Sequence, residues 1–442
     1  MKRTSPLVGV VDTAGSSGHA GAGTAGAHWV NTWTAMPQLT EPADLPPAPY
    51  TQGDLVFGNS TLRQTVRVSV GGRYTRIRLS NAFGGTNLPV TAVSVARPAD
   101  GEAGVSAIVP GSARAVTFGE QRGIDIPKGA QAVSDPLDFA VEPGTNLTVT
   151  LRLADGQASS SLTSHPGSRT TSYMLTGAHL DDSDLPGATA VDHWYFLSGV
   201  EVWSRSTTTA AVMLGDSLTD GRGSTTNGND RWPDQLLERL QSHPATSGVA
   251  ILNQAAGGNR VLRDGLGPNA LARLDRDVLA QSGVSRLFVF EGVNDIGTAG
   301  TSDAAAERIT AELIGAYRQI VTRAHAQGIR VHGATLTPFE GNDYDDPAGA
   351  HESARRAVNE WIRTSDRFDA VVDFDRAVRD PRAPRRLSPA YDAGDHLHLN
   401  PAGYRALAAA VPTGLFTCAP ADRDIGRRLT PPRPPAEPAG GR

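Results

Sequence analysis

Ala210-Ala211-Val212-Met213-Leu214-Gly215-Asp216-Ser217-Leu218-Thr219-Asp220-Gly221 is the stretch from which the fold is read. An unbroken apolar run ends in a glycine, and a polar turn follows with a serine almost at its start. A short apolar run of this kind suits a strand buried on both faces. The carboxyl ends of such strands are where an open α/β sheet meets its ligands, so a serine placed there stands where a nucleophile is useful. Taken alone, a serine after Gly-Asp is explained as well by a helix cap, and the reading depends on what surrounds it.

Working outward, apolar runs recur at 249–252, 287–290, 329–336 and 370–374, each separated from the next by helix-length sequence. Between the third and fourth runs of the series that begins at Ala210, Ile309, Leu313, Tyr317, Ile320 and Val321 fall at helical spacing. Ser302 or Asp303 can cap the start of that helix and Gly328 can end it. Alternating strands and helices predict a parallel sheet. Residues 28–205 read differently. Val66, Val68 and Val70 alternate with polar residues, Gly71-Gly72 follows, and Ile77 and Leu79 alternate with Arg76 and Arg78, which predicts a hairpin. Leu147, Val149, Leu151 and Leu153 repeat the period of two after Glu142-Pro143-Gly144. An antiparallel β-sandwich is expected there.

The chain has 442 residues, which suggests two folded units plus tails. The division expected is a flexible tail at 1–27, a β-sandwich at 28–205, an α/β domain at 206–418 and a proline-rich disordered tail at 419–442. Gly21-x-Gly23-x-x-Gly26 has the form of a dinucleotide fingerprint but leads into His28-Trp29-Val30 rather than a helix, so it is read as tail. A formal charge of −5 and the lack of basic runs interleaved with aromatics argue against a nucleic-acid partner. Cys418 is the sole cysteine, which excludes an internal disulfide, and no Cys/His cluster has zinc-ligand spacing. No stretch approaches the length of a membrane span.

Three further segments accompany the serine, each beside an expected element: Asn253-Gln254-Ala255-Ala256-Gly257-Gly258-Asn259, Glu291-Gly292-Val293-Asn294-Asp295, and Asp395-His396-Leu397-His398-Leu399-Asn400-Pro401. With these four blocks in order, the chain over about 210–415 resembles the SGNH, or GDSL, hydrolase superfamily. The resemblance implies a flavodoxin-like three-layer α/β/α domain with carboxylic-ester hydrolase activity; with a nucleophile, base and oxyanion donors of its own and no ligand cluster, the chain is expected to need no metal and no cofactor. No Gly-x-Ser-x-Gly elbow is present, which counts against the α/β-hydrolase alternative.

The chemistry accounts for the residue types. A serine hydroxyl needs a neighbouring imidazole to remove its proton, and a carboxylate three residues before that imidazole can hold it in the useful tautomer. Ser217, His398 and Asp395 are the expected catalytic residues. The resemblance assigns the oxyanion donors to the backbone amides of Ser217 and Gly258 and the side-chain amide of Asn294. Gly257 leaves the register open by one, and the step from Asn253 favours Gly258. His396 lacks the Asp-x-x-His spacing and is read as a surface or supporting histidine. Asp216 and Asp295 are expected to bond loop backbone rather than a metal.

Trp29-Val30-Asn31-Thr32-Trp33, Ser80-Asn81-Ala82-Phe83-Gly84-Gly85, Ser164-His165-Pro166-Gly167-Ser168-Arg169 and His193-Trp194-Tyr195 resemble the β domain that precedes the catalytic domain in a secreted microbial subgroup of GDSL lipases and acylhydrolases. Two readings stay open for His165, Arg169 and His193: structural residues, or residues lining the cleft together with Asp216, Asn259 and Arg260. The leading functional expectation is hydrolysis of short acyl esters, including acetyl esters of a small molecule or polysaccharide. A lipase on longer chains is the near alternative, and an inactive carbohydrate-binding protein is the alternative of another class. The subgroup implies secretion, whereas the apolar stretch at 6–11 is too brief for a signal segment, so export and a cytoplasmic location both stay open.

Overall fold

The computed structural model describes residues 26–417. The tail expected at 1–27, apart from its last two residues, lies outside the described residues, as do Cys418 and the proline-rich segment 419–442.

The apolar runs form a five-stranded parallel sheet: β1 (Thr209–Gly215), β2 (Val249–Ala255), β3 (Val284–Phe290), β4 (Arg330–Ala334) and β5 (Ala370–Val372), in the spatial order β2-β1-β3-β4-β5. Val212 in β1 sits opposite Leu252 of β2 and Leu287 of β3. All three are fully buried, as expected where helices cover the faces of a parallel sheet. The helices pack in two sets. α1 (Trp232–Gln241) meets α4 (Pro401–Ala410) and lies on β2, while α2 (Asp303–Ala326) meets α3 (Ala350–Thr364) and lies on β4. α2 runs where its spacing predicts. The Ser302 hydroxyl accepts from the N–H of Ala305 at its start, and Gly328, at φ +70°, follows its end. The run at 370–374 is shorter as a strand than expected, because Asp373 caps a one-turn helix, Phe374–Val378.

The amino-terminal region is largely strands. One antiparallel sheet pairs Ala27–Thr34 with Leu197–Arg205, which pairs with Gly72–Ser80; Gly72–Ser80 also takes Gln131–Val133 and Leu137–Val141. A second joins Thr189–Val191, Ser172–Thr176, Ser60–Arg67, Asn146–Leu153, Ala92–Ala96 and Arg114–Val116 in that order. The hairpin expected around Gly71-Gly72 does not form: Ser60–Arg67 and Gly72–Ser80 lie in different sheets. A two-residue hairpin turn requires positive φ, and neither glycine has it. They permit close approach instead. A Cβ on Gly71 would lie 2.6 Å from the carbonyl oxygen of Val141, and one on Gly72 2.7 Å from that of Trp203. The pair is a crossing between sheets.

Both regions share one continuous apolar core. Asn31 joins them at a buried seam, where its N–H donates to the Ser282 carbonyl at 3.0 Å and its Oδ1 accepts the N–H of Ser282 at 2.7 Å. The Ser69 hydroxyl adds a bond to the Ile251 carbonyl of β2 at 2.9 Å. Among the described residues, no helix is long and apolar enough to cross a membrane.

Candidate active site

The site begins where β1 ends. The buried Asp216 caps the next turn, Ser217–Asp220: its Oδ1 accepts the N–H of Leu218 at 3.0 Å. Burial, with the charge of Glu291 next in importance, pushes the Asp216 carboxyl well above the usual carboxylate range, which favours the protonated acid. Gly221 closes the turn at φ +96°.

Asp395 and His398 reach this turn from the loop before α4. Ser217 Oγ lies 2.8 Å from His398 Nε2, and His398 Nδ1 lies 2.6 Å from Asp395 Oδ2. Asp395 also accepts the backbone N–H groups of His398 at 2.8 Å and Leu397 at 3.1 Å through Oδ1. A proton on Nδ1 satisfies the carboxylate and leaves the Nε2 lone pair for the serine proton. Burial works to raise the Asp395 carboxyl, but the bonds from the His398 side chain and backbone outweigh it and hold the group at about 2. For His398, burial lowers the pKa below its ordinary value and Asp395 opposes this, while Arg222 and Arg169 lower it further. The ring is therefore predominantly neutral, and able to accept a proton, near neutral pH. His396 is exposed, with its Nδ1 on Asp392 at 2.7 Å.

Candidate hydrogen-bond donors lie on the turns past β1, β2 and β3. Among the described residues, the backbone N–H groups of Ser217 and Gly258 meet no protein acceptor. The neighbouring Gly257 N–H is taken by Asp220 Oδ2 at 3.1 Å. Gly258 has φ +69°, a conformation that favours glycine. Asn294 Nδ2 donates to the carbonyl of Asn259 at 2.8 Å, and its Oδ1 accepts from Tyr344 Oη at 2.8 Å. Tyr344 thereby sets which end of the amide faces the loop, and one of the two N–H bonds of Nδ2 is left over.

Residues 213–406 match the sequence profile of the GDSL-like lipase/acylhydrolase family. This stretch is a GDSL-like lipase/acylhydrolase domain, and the protein is a hydrolase. An acetyl xylan esterase from Geobacillus stearothermophilus is 23% identical to the chain; the match covers 48% of this chain and 97% of that one, with a TM-score of 0.36. A GDSL-like lipase from Bacteroides thetaiotaomicron VPI-5482 is 16% identical, with 51% and 92% covered and a TM-score of 0.34. No curated protein matches the chain.

The remaining expected residues divide. Within the GDSL domain, Asp295 accepts the N–H groups of Val261 and Leu262 at 2.8 and 3.0 Å and so ties the glycine loop to the end of β3. The Asn259 side chain donates to the carbonyls of Leu266 and Pro268 and accepts from Arg273. Arg260 bonds the Asp264 carbonyl. From the strand region, His165 reaches Asp220, and the Arg169 guanidinium lies close enough to act electrostatically on both Asp220 and His398. His193 bonds the Pro166 carbonyl at 2.8 Å and lies beside Asp44 rather than the serine.

Tyr344 and Arg273 were not singled out from the sequence. Arg273 is buried beneath the GDSL domain's loops, where it binds Asn259, the carbonyl of Gly215 and Glu291. Burial raises the Glu291 carboxyl to about 7, with Arg273 acting against it. In Ala270-Leu271-Ala272-Arg273 nothing separates a buried arginine from one on a helix surface. Among the described residues, no group of three or more His, Cys, Asp or Glu is placed to hold a metal ion.

Proposed function

We propose that the chain is a serine carboxylic-ester hydrolase. Ser217 is the nucleophile, His398 the base and acid, and Asp395 the group that orients His398. The observation that carries this reading is the continuous line of contacts from Ser217 Oγ through His398 to Asp395, at 2.8 and 2.6 Å. As Ser217 Oγ attacks the ester carbonyl carbon, its proton passes to His398 Nε2. When the ester bond breaks, that proton leaves on the alcohol oxygen. Water then gives one proton to His398 as its oxygen bonds to the acyl carbon; the bond from that carbon to Ser217 Oγ breaks, Oγ takes the proton back from His398, and the acid is released. Asp395 stays ionised throughout.

The N–H groups of Ser217 and Gly258 and the remaining N–H of Asn294 are the proposed oxyanion donors. Support for Gly258 over Gly257 comes from the bond between the Gly257 N–H and Asp220. Fixed donors of this kind are each worth about 3 to 4 kcal/mol in the transition state.

The proposed substrates are short acyl esters of polar alcohols, with acetyl esters of carbohydrates as the favoured class. The guanidinium groups of Arg222 and Arg169 act on His398, and those of Arg260 and Arg222 act on Tyr344. A rim of this character suits a hydrated leaving group better than an acyl chain of many carbons. Residues 28–205 are read as a β-sandwich domain and 206–418 as the hydrolase domain. A panel of p-nitrophenyl esters from acetate to palmitate, run beside acetylated xylan with Ser217→Ala as control, tests the reading. Highest kcat/KM on acetate and release of acetate from xylan are expected. A maximum at palmitate replaces this reading with the lipase. Carbohydrate binding at equal affinity in both proteins, with no ester cleaved by either, replaces it with a binding protein.

A further inference from the structure

The geometry points to His165, in the strand region, as a positioning residue for the oxyanion loop of the hydrolase site. His165 holds Asp220, and Asp220 holds the peptide that leads into Gly258. This inference rests on the proposal that the Gly258 N–H receives the oxyanion.

The chain of contacts is short, and its links through His165 are buried. His165 Nε2 lies 2.9 Å from Asp220 Oδ1, and His165 Nδ1 lies 3.1 Å from the Met36 carbonyl. Both partners are oxygen atoms that accept, and each ring nitrogen faces one of them. The two side chains are 5% and 1% exposed. The imidazole stacks on Trp194, with centroids 5.8 Å apart and planes at 25°. The other oxygen of Asp220 accepts the Gly257 N–H at 3.1 Å. Gly167 closes the same loop over Asp220 so tightly that a Cβ there would lie 1.8 Å from Oδ2.

Two consecutive glycines have the widest choice of backbone conformation of any dipeptide. Gly257-Gly258 therefore does not hold the Gly258 N–H in one direction by itself, and the Asp220 carboxylate supplies an external restraint. That carboxylate is in turn unfavourable where it lies, because burial works to raise its pKa; the charge and hydrogen bond of His165 lead the opposing contributions and bring it below the ordinary range. Without His165, Asp220 is driven toward its neutral form, a poorer acceptor for the Gly257 N–H. Asp220 shares its turn with Ser217, yet neither His165 nor Asp220 bonds Ser217 Oγ, His398 or Asp395. Loss of the restraint thus loosens the oxyanion loop and leaves the nucleophile and its base in contact.

The test is His165→Phe in the full chain, which keeps the aromatic packing on Trp194 and removes both ring hydrogen bonds, compared with His165→Gln, which restores one donor. Assayed on p-nitrophenyl acetate well below the melting temperature, His165→Phe is expected to lower kcat by about ten- to a hundredfold with KM changed less than about threefold, and His165→Gln to recover part of that loss. A residue that only joins the two regions lowers the melting temperature and leaves kcat of the folded enzyme at the wild-type value, and that result overturns the inference. If His165→Phe does not fold, Asp220→Asn takes its place, since it offers one acceptor oxygen for two partners. It is expected to lower kcat by about tenfold, and wild-type kcat in the folded variant overturns the inference. Ser217→Ala run in parallel separates the two levels. Full activity in Ser217→Ala refutes the serine mechanism itself, whereas an inactive Ser217→Ala beside a fully active His165→Phe refutes only the positioning role.

Discussion

The parallel-sheet region and the strand region meet the same demand, burying apolar surface around a backbone, by opposite routes. In the parallel sheet a helix lies between each strand and the next along the chain, and the groups named beside Ser217 lie on turns just past β1, β2 and β3 or just before α4. In the strand region the partners are remote: Ala27–Thr34 pairs with Leu197–Arg205, and Ser60–Arg67 with Asn146–Leu153 and Ser172–Thr176. One region holds the proposed reacting groups. The other grips one of their turns from outside, through His165 and Gly167. The contrast teaches that chemistry collects where strand ends repeat at one edge of a sheet, while a region built on remote pairing contributes by restraint.

That division can be tested by asking which region each perturbation damages. The largest effect is expected from Ser217→Ala, with kcat on p-nitrophenyl acetate reduced by about 10⁴-fold or more and an unchanged thermal melt. Asn294→Ala is next. An oxyanion donor there predicts about a hundred- to a thousandfold loss in kcat with a smaller change in KM, and Asn294→Asp should fail as well because a carboxylate repels the oxyanion. If both variants keep wild-type kcat and only melt earlier, Asn294 serves as turn structure alone. On the strand side, Asn31→Ala removes the side-chain acceptor at the seam with Ser282. It should cost about 1 to 3 kcal/mol of stability in denaturant unfolding and leave kcat unchanged; a large loss of kcat there would break the comparison.

Two smaller effects sharpen it. Tyr344→Phe deletes the hydroxyl that orients the Asn294 amide and should lower kcat by about three- to tenfold, read by steady-state kinetics at constant KM. The pH profile gives the finest test. With His398 as the proposed base, active when neutral, kcat/KM should fall as pH falls through its pKa, with a midpoint below the ordinary histidine value because burial lowers it. Arg222 acts in the same direction, so Arg222→Gln should move the acid limb to higher pH. A shift the other way, or none, removes Arg222 from the neighbourhood of His398.

The legible parts of the sequence were those governed by neighbours along the chain. The apolar runs lie within or overlap β1 to β5, Ser302 and Gly328 bracket α2, and the Asp-x-x-His spacing brings His398, not His396, to Ser217. The Gly71-Gly72 pair was misread because its local pattern is that of a turn. Its conformation is decided by the carbonyls of Val141 and Trp203, which no window around residue 71 contains. Tyr344 and Arg273 were illegible for the same reason: each acts on a residue placed beside it by tertiary packing. His165 was marked as a histidine of interest, but its partner Asp220 lies across the boundary between the regions, and only the assembled fold pairs them.

The pairing of Ala27–Thr34 with Leu197–Arg205 also bears on how the chain is made. A ribosome releases the first of these strands long before the second. At roughly 5 to 20 residues per second, Val30 and Trp33, both buried in the finished protein, wait on the order of ten to thirty seconds for the strand that pairs beside them. Through that interval the nascent chain carries an unsatisfied strand edge, which a neighbouring chain on the same message can also fill. Yield of active enzyme should therefore respond to translation speed and to chaperones that shield nascent chains, and more strongly than the stability of the completed fold alone would suggest.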